Sequence, residues 1–124
     1  MITTKIDVRA CGGYLIVTMC GELDAVDAEA VGSVLTSAAD GNPRLAVDLT
    51  GLKFIDCCAL GVLARARAQA RRAGGDLVLA APGPLVRRTL TLAEMSHGFA
   101  VSATTAEAVM AAGWAHVQAP TPCA

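Results

Sequence analysis

Asp56, Cys57 and Cys58, three residues in a row, pose the chemical question for this sequence. A carboxylate beside two thiols can serve a nucleophile, a redox pair, a metal site, a recognition surface or the cap of a helix. The stretch Leu49-Thr-Gly-Leu-Lys-Phe-Ile-Asp-Cys-Cys-Ala-Leu-Gly-Val-Leu63 reads as the end of a buried strand, a short loop and the start of a helix. A helix start gathers backbone N–H groups that lack intrahelical partners and point the same way. In its plainest role Asp56 caps that helix, accepting from the amide of Cys58 or Ala59.

Each chemistry makes further demands on the chain. Helix N-termini favour thiolates, which gives Cys57 the placement of a nucleophile. Catalysis would also need a base, and the only histidines, His97 and His116, stand in distant and unrelated contexts. A zinc site would need ligand pairs, yet no CxxC occurs and neither histidine is near a cysteine cluster in sequence. The five cysteines (Cys11, Cys20, Cys57, Cys58, Cys123) make an odd count that does not resemble a disulfide framework. Cys20, inside an apolar stretch, is expected to be a buried inert thiol. GxxxxGK[ST] is absent, as is GxGxxG after a strand, so no nucleotide signature is present and no cofactor is expected.

Composition narrows the class. The 124 residues are 54% hydrophobic, 17% charged and only 3% aromatic, which predicts one folded domain with a core of small aliphatic side chains. A formal net charge of −1 argues against nucleic acid or an anionic membrane as the main partner. Membrane-spanning runs of about 18 apolar residues do not occur. Because Met1 to Arg9 alternates rather than forming a signal core, the chain is read as cytoplasmic.

The surrounding elements must position the three residues. Alternation over Thr3 to Ala10 predicts a half-exposed strand, and Cys11-Gly-Gly-Tyr14 a tight turn. Tyr14 to Cys20 follows as a buried strand. Gly21-Glu-Leu-Asp24 then ends that strand, with Asp24 as N-cap of a helix to about Ala39. Ala30, Val31, Val34, Leu35 and Ala38 are expected to face the sheet. Arg44 to Leu49 is a third strand and about Cys58 to Arg72 the next helix. That helix is apolar along Ala59, Leu60, Leu63, Ala66 and Ala70, with Arg65, Ala68, Gln69 and Arg72 opposite. The arginines read as a solvated face, or else as a contact for an acidic protein partner. A strand at Leu77 to Ala81 and a helix from Leu85 to about Met95, carrying Leu85, Val86, Leu90 and Leu92, come next. A short strand at Phe99 to Ser102 precedes a last helix, Ala106 to Ala112, capped by Thr104 or Thr105. The order β-β-α-β-α-β-α-β-α predicts an α/β fold, a mixed and mostly parallel sheet packed with helices. Residues 1–113 make the domain and 114–124 a flexible tail.

Five segments in order resemble a STAS domain, most closely the bacterial anti-sigma factor antagonists. They are Gly21-Glu-Leu-Asp24, Val47-Asp-Leu-Thr-Gly-Leu-Lys-Phe-Ile-Asp56, Leu60-Gly-Val-Leu63, Ala73-Gly-Gly-Asp-Leu-Val-Leu79 and Pro84-Leu-Val-Arg-Arg88. The resemblance implies a non-enzymatic protein that binds an anti-sigma factor with a GHKL-type serine kinase domain and thereby frees a sigma factor. It also implies phosphorylation of a serine in Asp-Ser-Ser/Thr-Gly as the off-switch, with a phosphatase to reverse it. On this resemblance Asp56 matches the motif aspartate, Cys57 falls on the phosphorylated serine, Cys58 on the next residue and Ala59 on the glycine. Glu22, Asp24, Asp56, Cys57, Cys58, Ala59 and Leu60 form the expected partner-binding loop. A thiol is not an ordinary serine-kinase substrate, so two regulatory readings stand: none by phosphorylation, or a thiol switch through Cys57, Cys58 and Cys20. STAS domains also serve as scaffolds or accessory subunits of sensory and transport assemblies, which is the alternative from a different class.

Overall fold

Two alternating segments joined by Gly12-Gly13 fold back on each other as β1 (Thr4–Cys11) and β2 (Tyr14–Leu23). Both glycines have positive φ, 61° and 94°, as a type I′ two-residue hairpin turn requires. The computed structural model describes residues 4–114, apart from the side chains of residues 93–97. Within these, α1 (Ala25–Gly41), β3 (Arg44–Ile55), α2 (Cys57–Arg72), β4 (Asp76–Ala80), α3 (Pro84–His97), β5 (Val101–Ser102) and α4 (Thr105–Ala111) follow. The element order is the one expected. The sheet runs β1-β2-β3-β4-β5, with β1 antiparallel to β2 and the remaining pairs parallel.

Period-2 alternation divides the sheet into two faces. Val17, Met19, Leu45, Val47, Leu49, Leu77 and Leu79 pack beneath α1, α2 and α3 as the main core. Ala46, Val78 and Ala80 face the other way, under Ala108 and Val109 of α4, with Cys11 and Tyr14 alongside. Trp114, the first residue of the expected tail, stacks on Tyr14 with ring centroids 6.3 Å apart. The rest of that tail, with His116 and Cys123, lies outside the described residues. Among the described residues no helix is long and apolar enough to cross a membrane.

Several boundaries differ from the sequence reading. The loop expected after Leu49 is strand: β3 continues to Ile55, and β2 likewise runs through Gly21 and Glu22 to Leu23. Two register shifts make this extension work. From Thr18↔Asp48 to Leu23↔Ile55, β2 advances five residues and β3 seven, so β3 carries two bulge residues. Bulges disturb simple alternation, which is why the segment reads as a loop. The buried arc of α1 is Asp27, Ala28, Val31, Leu35 and Ala39, while Ala30 is exposed. The helix is turned to bring small residues against α2: a Cβ on Gly32 would sit 3.0 Å from Val62. On α3, Val86 and Leu90 are buried one turn apart, whereas Leu85 and Leu92 are exposed. Cys20 is exposed, not buried; it shares the sheet face of Thr18 while Met19 enters the core. Cys20, Cys57 and Cys58 are free thiols, and Cys11 is disulfide-bonded, a single bond rather than a framework.

Candidate functional site

Parallel strands with crossover helices put all their strand-to-helix junctions at one edge of the sheet. Here β2 ends at Leu23 before α1, β3 at Ile55 before α2 and β4 at Ala80 before α3. The three helix N-termini therefore share one rim. Asp24 caps α1, its Oδ1 accepting from Val26 N–H at 3.0 Å. Asp56 caps α2 as expected, its Oδ1 accepting from Ala59 N–H at 2.9 Å.

The second oxygen of Asp56 does more than a cap requires. Its Oδ2 accepts from Ala25 N–H, 31 residues away, at 3.1 Å. One carboxylate therefore joins the N-termini of α1 and α2, and its own N–H donates to Leu23 O at 3.2 Å. Two of the Asp56 bonds, to Ala25 N–H and Leu23 O, cross from β3–α2 to β2–α1, adding to the strand pairing at Leu23↔Ile55. Charge complementarity with both helix dipoles reinforces these bonds. A negative group is thus already seated where a helix start would otherwise attract an anion.

Around that bracket the expected residues separate into two sets. Glu22, Cys57 and Cys58 are exposed, and Asp24 and Asp56 half-exposed, so all five reach the rim surface. Ala59 and Leu60 do not: they are 0% and 1% exposed, on the α2 face turned to the sheet, and leave the contact set as side chains. Cys20 is also separated from the other thiols. It pairs with Gly51, three residues before the Leu23–Ile55 level, which is about 10 Å along the strand. It also lies on the face away from α2. A disulfide needs Cα atoms within about 7 Å, so Cys20 is not a partner for Cys57 or Cys58.

Below the rim, an open groove of about 1180 Å³ runs along the seam of α1 and α2. Cys57 and Cys58 line its upper end, Glu29, Gly32 and Ser33 one wall, and Arg65 the other. No group of three or more His, Cys, Asp or Glu side chains comes together to hold a metal among the described residues. Nothing is described of the His97 side chain.

Sequence reasoning missed an apolar component. Val26 in the first turn of α1 is 81% exposed, Leu85 in the first turn of α3 is 59% exposed, and Phe54 at the end of β3 is 43% exposed. All three belong to the same rim as Asp56. Phe54 offered one signal, being one of only two phenylalanines. Leu85 instead resembled a core position.

The backbone at this rim carries one further peculiarity. Ala81, just past β4, is the only non-glycine residue with positive φ among the described residues, at 55°. It ends β4 one residue earlier than expected and turns the chain into Pro82-Gly-Pro84 and Leu85.

The STAS domain profile matches residues 5–108. A Mycobacterium tuberculosis protein named as an anti-anti-sigma factor is 34% identical over 89 residues, 69% of this chain and 60% of that protein's length. The anti-sigma-F factor antagonist RsfA of the same organism is 32% identical over 100 residues, 78% of each chain. The crystal structure of an anti-sigma factor antagonist from Mycobacterium paratuberculosis superposes with a TM-score of 0.79 at 27% identity, covering 89% of this chain and 94% of that one. With the match extending from β1 into α4, the chain belongs to the STAS domain family.

Proposed function

We propose that this chain is an anti-sigma factor antagonist that captures its partner with the rim around Asp56 and so frees a sigma factor. The observation that carries the reading is the exposure of Val26, Phe54 and Leu85 at the edge where Asp56, Cys57 and Cys58 lie. Apolar side chains exposed together, rimmed by charges such as Glu22 and Lys53, mark protein-binding surfaces rather than solvent-facing ones. The names of the two relatives support the same role. The partner is an anti-sigma factor with a GHKL-type serine kinase domain, and the chain works by binding, not catalysis.

On the family resemblance Cys57 takes the phosphoacceptor position, and because it is exposed a kinase reaching it would meet a thiol. Serine phosphorylation therefore does not switch this antagonist off, and a phosphatase has nothing to reverse at that position. A phosphoryl group at residue 57 would carry about −2 charges next to the Asp56 carboxylate and near the Asp24 cap, and would repel or desolvate badly at a packed interface. Pull-down from the source bacterium, with the captured protein identified, tests the binding. A GHKL-type kinase is expected; a transporter component, or nothing, overturns it. Incubation with that kinase and radiolabelled ATP then tests the switch. Label is expected on Cys57→Ser and none on the wild type; labelled wild type overturns the reading.

A second reading, redox control, is favoured by one observation: two adjacent free thiols are exposed on the binding rim. Oxidation of either would place a polar or bulky group in the interface. Equal partner affinity in oxidant and reductant would end this reading.

A further inference from the structure

The sheet ends on one side at β1, and among the described residues no strand pairs with its outer edge. Of its eight residues Thr4 and Cys11 are buried, the outward N–H of Thr4 already donating to Asp27 Oδ2 at 3.2 Å, while Lys5, Asp7, Val8, Arg9 and Ala10 between them are all exposed. Unpaired strand edges are templates for another strand unless they are blunted. Neither a proline nor a bulge interrupts this one, and its charges, Lys5, Asp7 and Arg9, are of mixed sign, so they oppose some registers and favour another.

Geometry fixes which groups face outward. The two-residue turn makes Cys11 and Tyr14 the closing hydrogen-bonded pair of the hairpin. Alternation then points the N–H and C=O of Arg9, Asp7 and Lys5 toward β2, and those of Ala10, Val8 and Ile6 away from it. Side chains alternate too: Lys5, Asp7 and Arg9 share one face, and Ile6, Val8 and Ala10 the other.

We propose that β1 pairs with β1 of a second copy of this chain, antiparallel across a two-fold axis at Val8, extending the sheet from five strands to ten. Charge selects this register. With Val8 opposite Val8, Asp7 of each copy lies opposite Arg9 of the other, giving two opposite-charge pairs. Shifting the axis to Asp7 sets Asp7 against Asp7 and Lys5 against Arg9, like charges throughout. Shifting it to Ile6 restores opposite charges, Lys5 against Asp7, but shortens the overlap. Only the Val8 register spans Lys5 to Cys11, aligns outward-facing backbone groups and matches every charge pair it forms. Val8, 39% exposed, would be covered by its symmetry mate. Within one chain Arg9 and Asp7 already pair at 3.8 Å, so association builds a four-charge cluster. This edge is the side of the sheet farthest from β5, and pairing there leaves the rim at Asp56 open.

Sedimentation equilibrium on the full chain over a concentration series tests this. The wild type is expected to approach twice the chain mass. Asp7→Arg sets like charges together at both flanking positions and is expected to weaken self-association about tenfold or more. Adding Arg9→Asp to that variant restores both pairs and should restore the dimer. Val8→Pro removes an outward N–H without removing a bond to β2 and should leave the chain monomeric. A wild type at the single-chain mass throughout overturns the proposal. So does an Asp7→Arg variant that associates like the wild type, or a double variant no better than the single. Far-ultraviolet circular dichroism of each variant separates lost pairing from lost folding, and the charge-swapped pair decides the matter if the proline variant does not fold.

Discussion

The two ends of the sheet are finished differently. At the end away from Asp56, turns are closed by the chain's own polar groups. Asn42 donates through Nδ2 to Gly13 O and accepts from Arg44 N–H, both at 3.0 Å. Asp76 N–H reaches Pro43 O at 2.9 Å, and the Asp76 carboxylate accepts from Arg67 Nε at 3.0 Å. At the Asp56 end the chain's own carboxylates also close the backbone, Asp24 capping α1, Asp27 accepting from Thr4 N–H and Asp56 bridging α1 and α2, but here apolar and thiol groups are left in solvent beside them. The two ends therefore differ in what they leave exposed, and on the proposed function the Asp56 end is the one that meets a partner. Asp56 stiffens the rim it sits on, so that a partner meets a preformed surface.

The largest effect is expected at Asp56. Asp56→Ala removes the bonds to Ala59 and Ala25 together and should cost about 2–3 kcal/mol in urea unfolding, twice an ordinary cap. Asp56→Asn keeps one acceptor oxygen and should cost about half as much. If the alanine variant costs only about 1 kcal/mol, the bridge to α1 contributes nothing and the rim is not preformed.

Rim and remainder should also separate in binding. Phe54→Asp or Leu85→Asp is expected to weaken capture of the anti-sigma factor by at least about 30-fold, equivalent to about 2 kcal/mol, with an unchanged unfolding midpoint. Met110→Asp on α4, also at an exposed apolar position (51% exposed), is the control and should leave capture intact. Isothermal titration of the three variants decides whether exposure at the rim differs in kind from exposure elsewhere.

A smaller effect tests the bulged strand leading to the rim. A Cβ on Gly51 would fall 2.6 Å from Cys20 Sγ, so Gly51→Ala should cost about 1–2 kcal/mol. Combining it with Cys20→Gly should recover most of that loss; independent costs would show that the sulfur is not the obstacle. Smallest is Arg67→Ala at the opposite end. Its ion pair with Asp76 is partly screened, and the expected cost is about 0.5–1 kcal/mol, falling in high salt.

Much of this was legible in the chain. Element order, the hairpin turn, the Asp24, Asp56 and Thr104 caps and the buried face of α2 follow from interactions between residues near in sequence, which periodicity and capping chemistry report. The family match follows from spacing along the chain for the same reason. Those readings failed where a distant segment intervened. The stretch after Leu49 is strand because β2 is there to pair with it, bulges included. Cys20 is exposed because α4 covers only part of its sheet face. For Ala59 and Leu60 the apolar arc of α2 had it right, and only their assignment to the binding loop, carried over with the family motif, disagrees with their burial.

Asp56 shows the division most clearly. That it would cap α2 is a matter of three residues, and the sequence alone determined it. That its other oxygen would reach Ala25, and that Val26, Phe54 and Leu85 would share its rim, depends on three parallel strands ending at one edge. Local geometry is written in neighbouring residues; the meeting of three helix starts exists only once the sheet has formed.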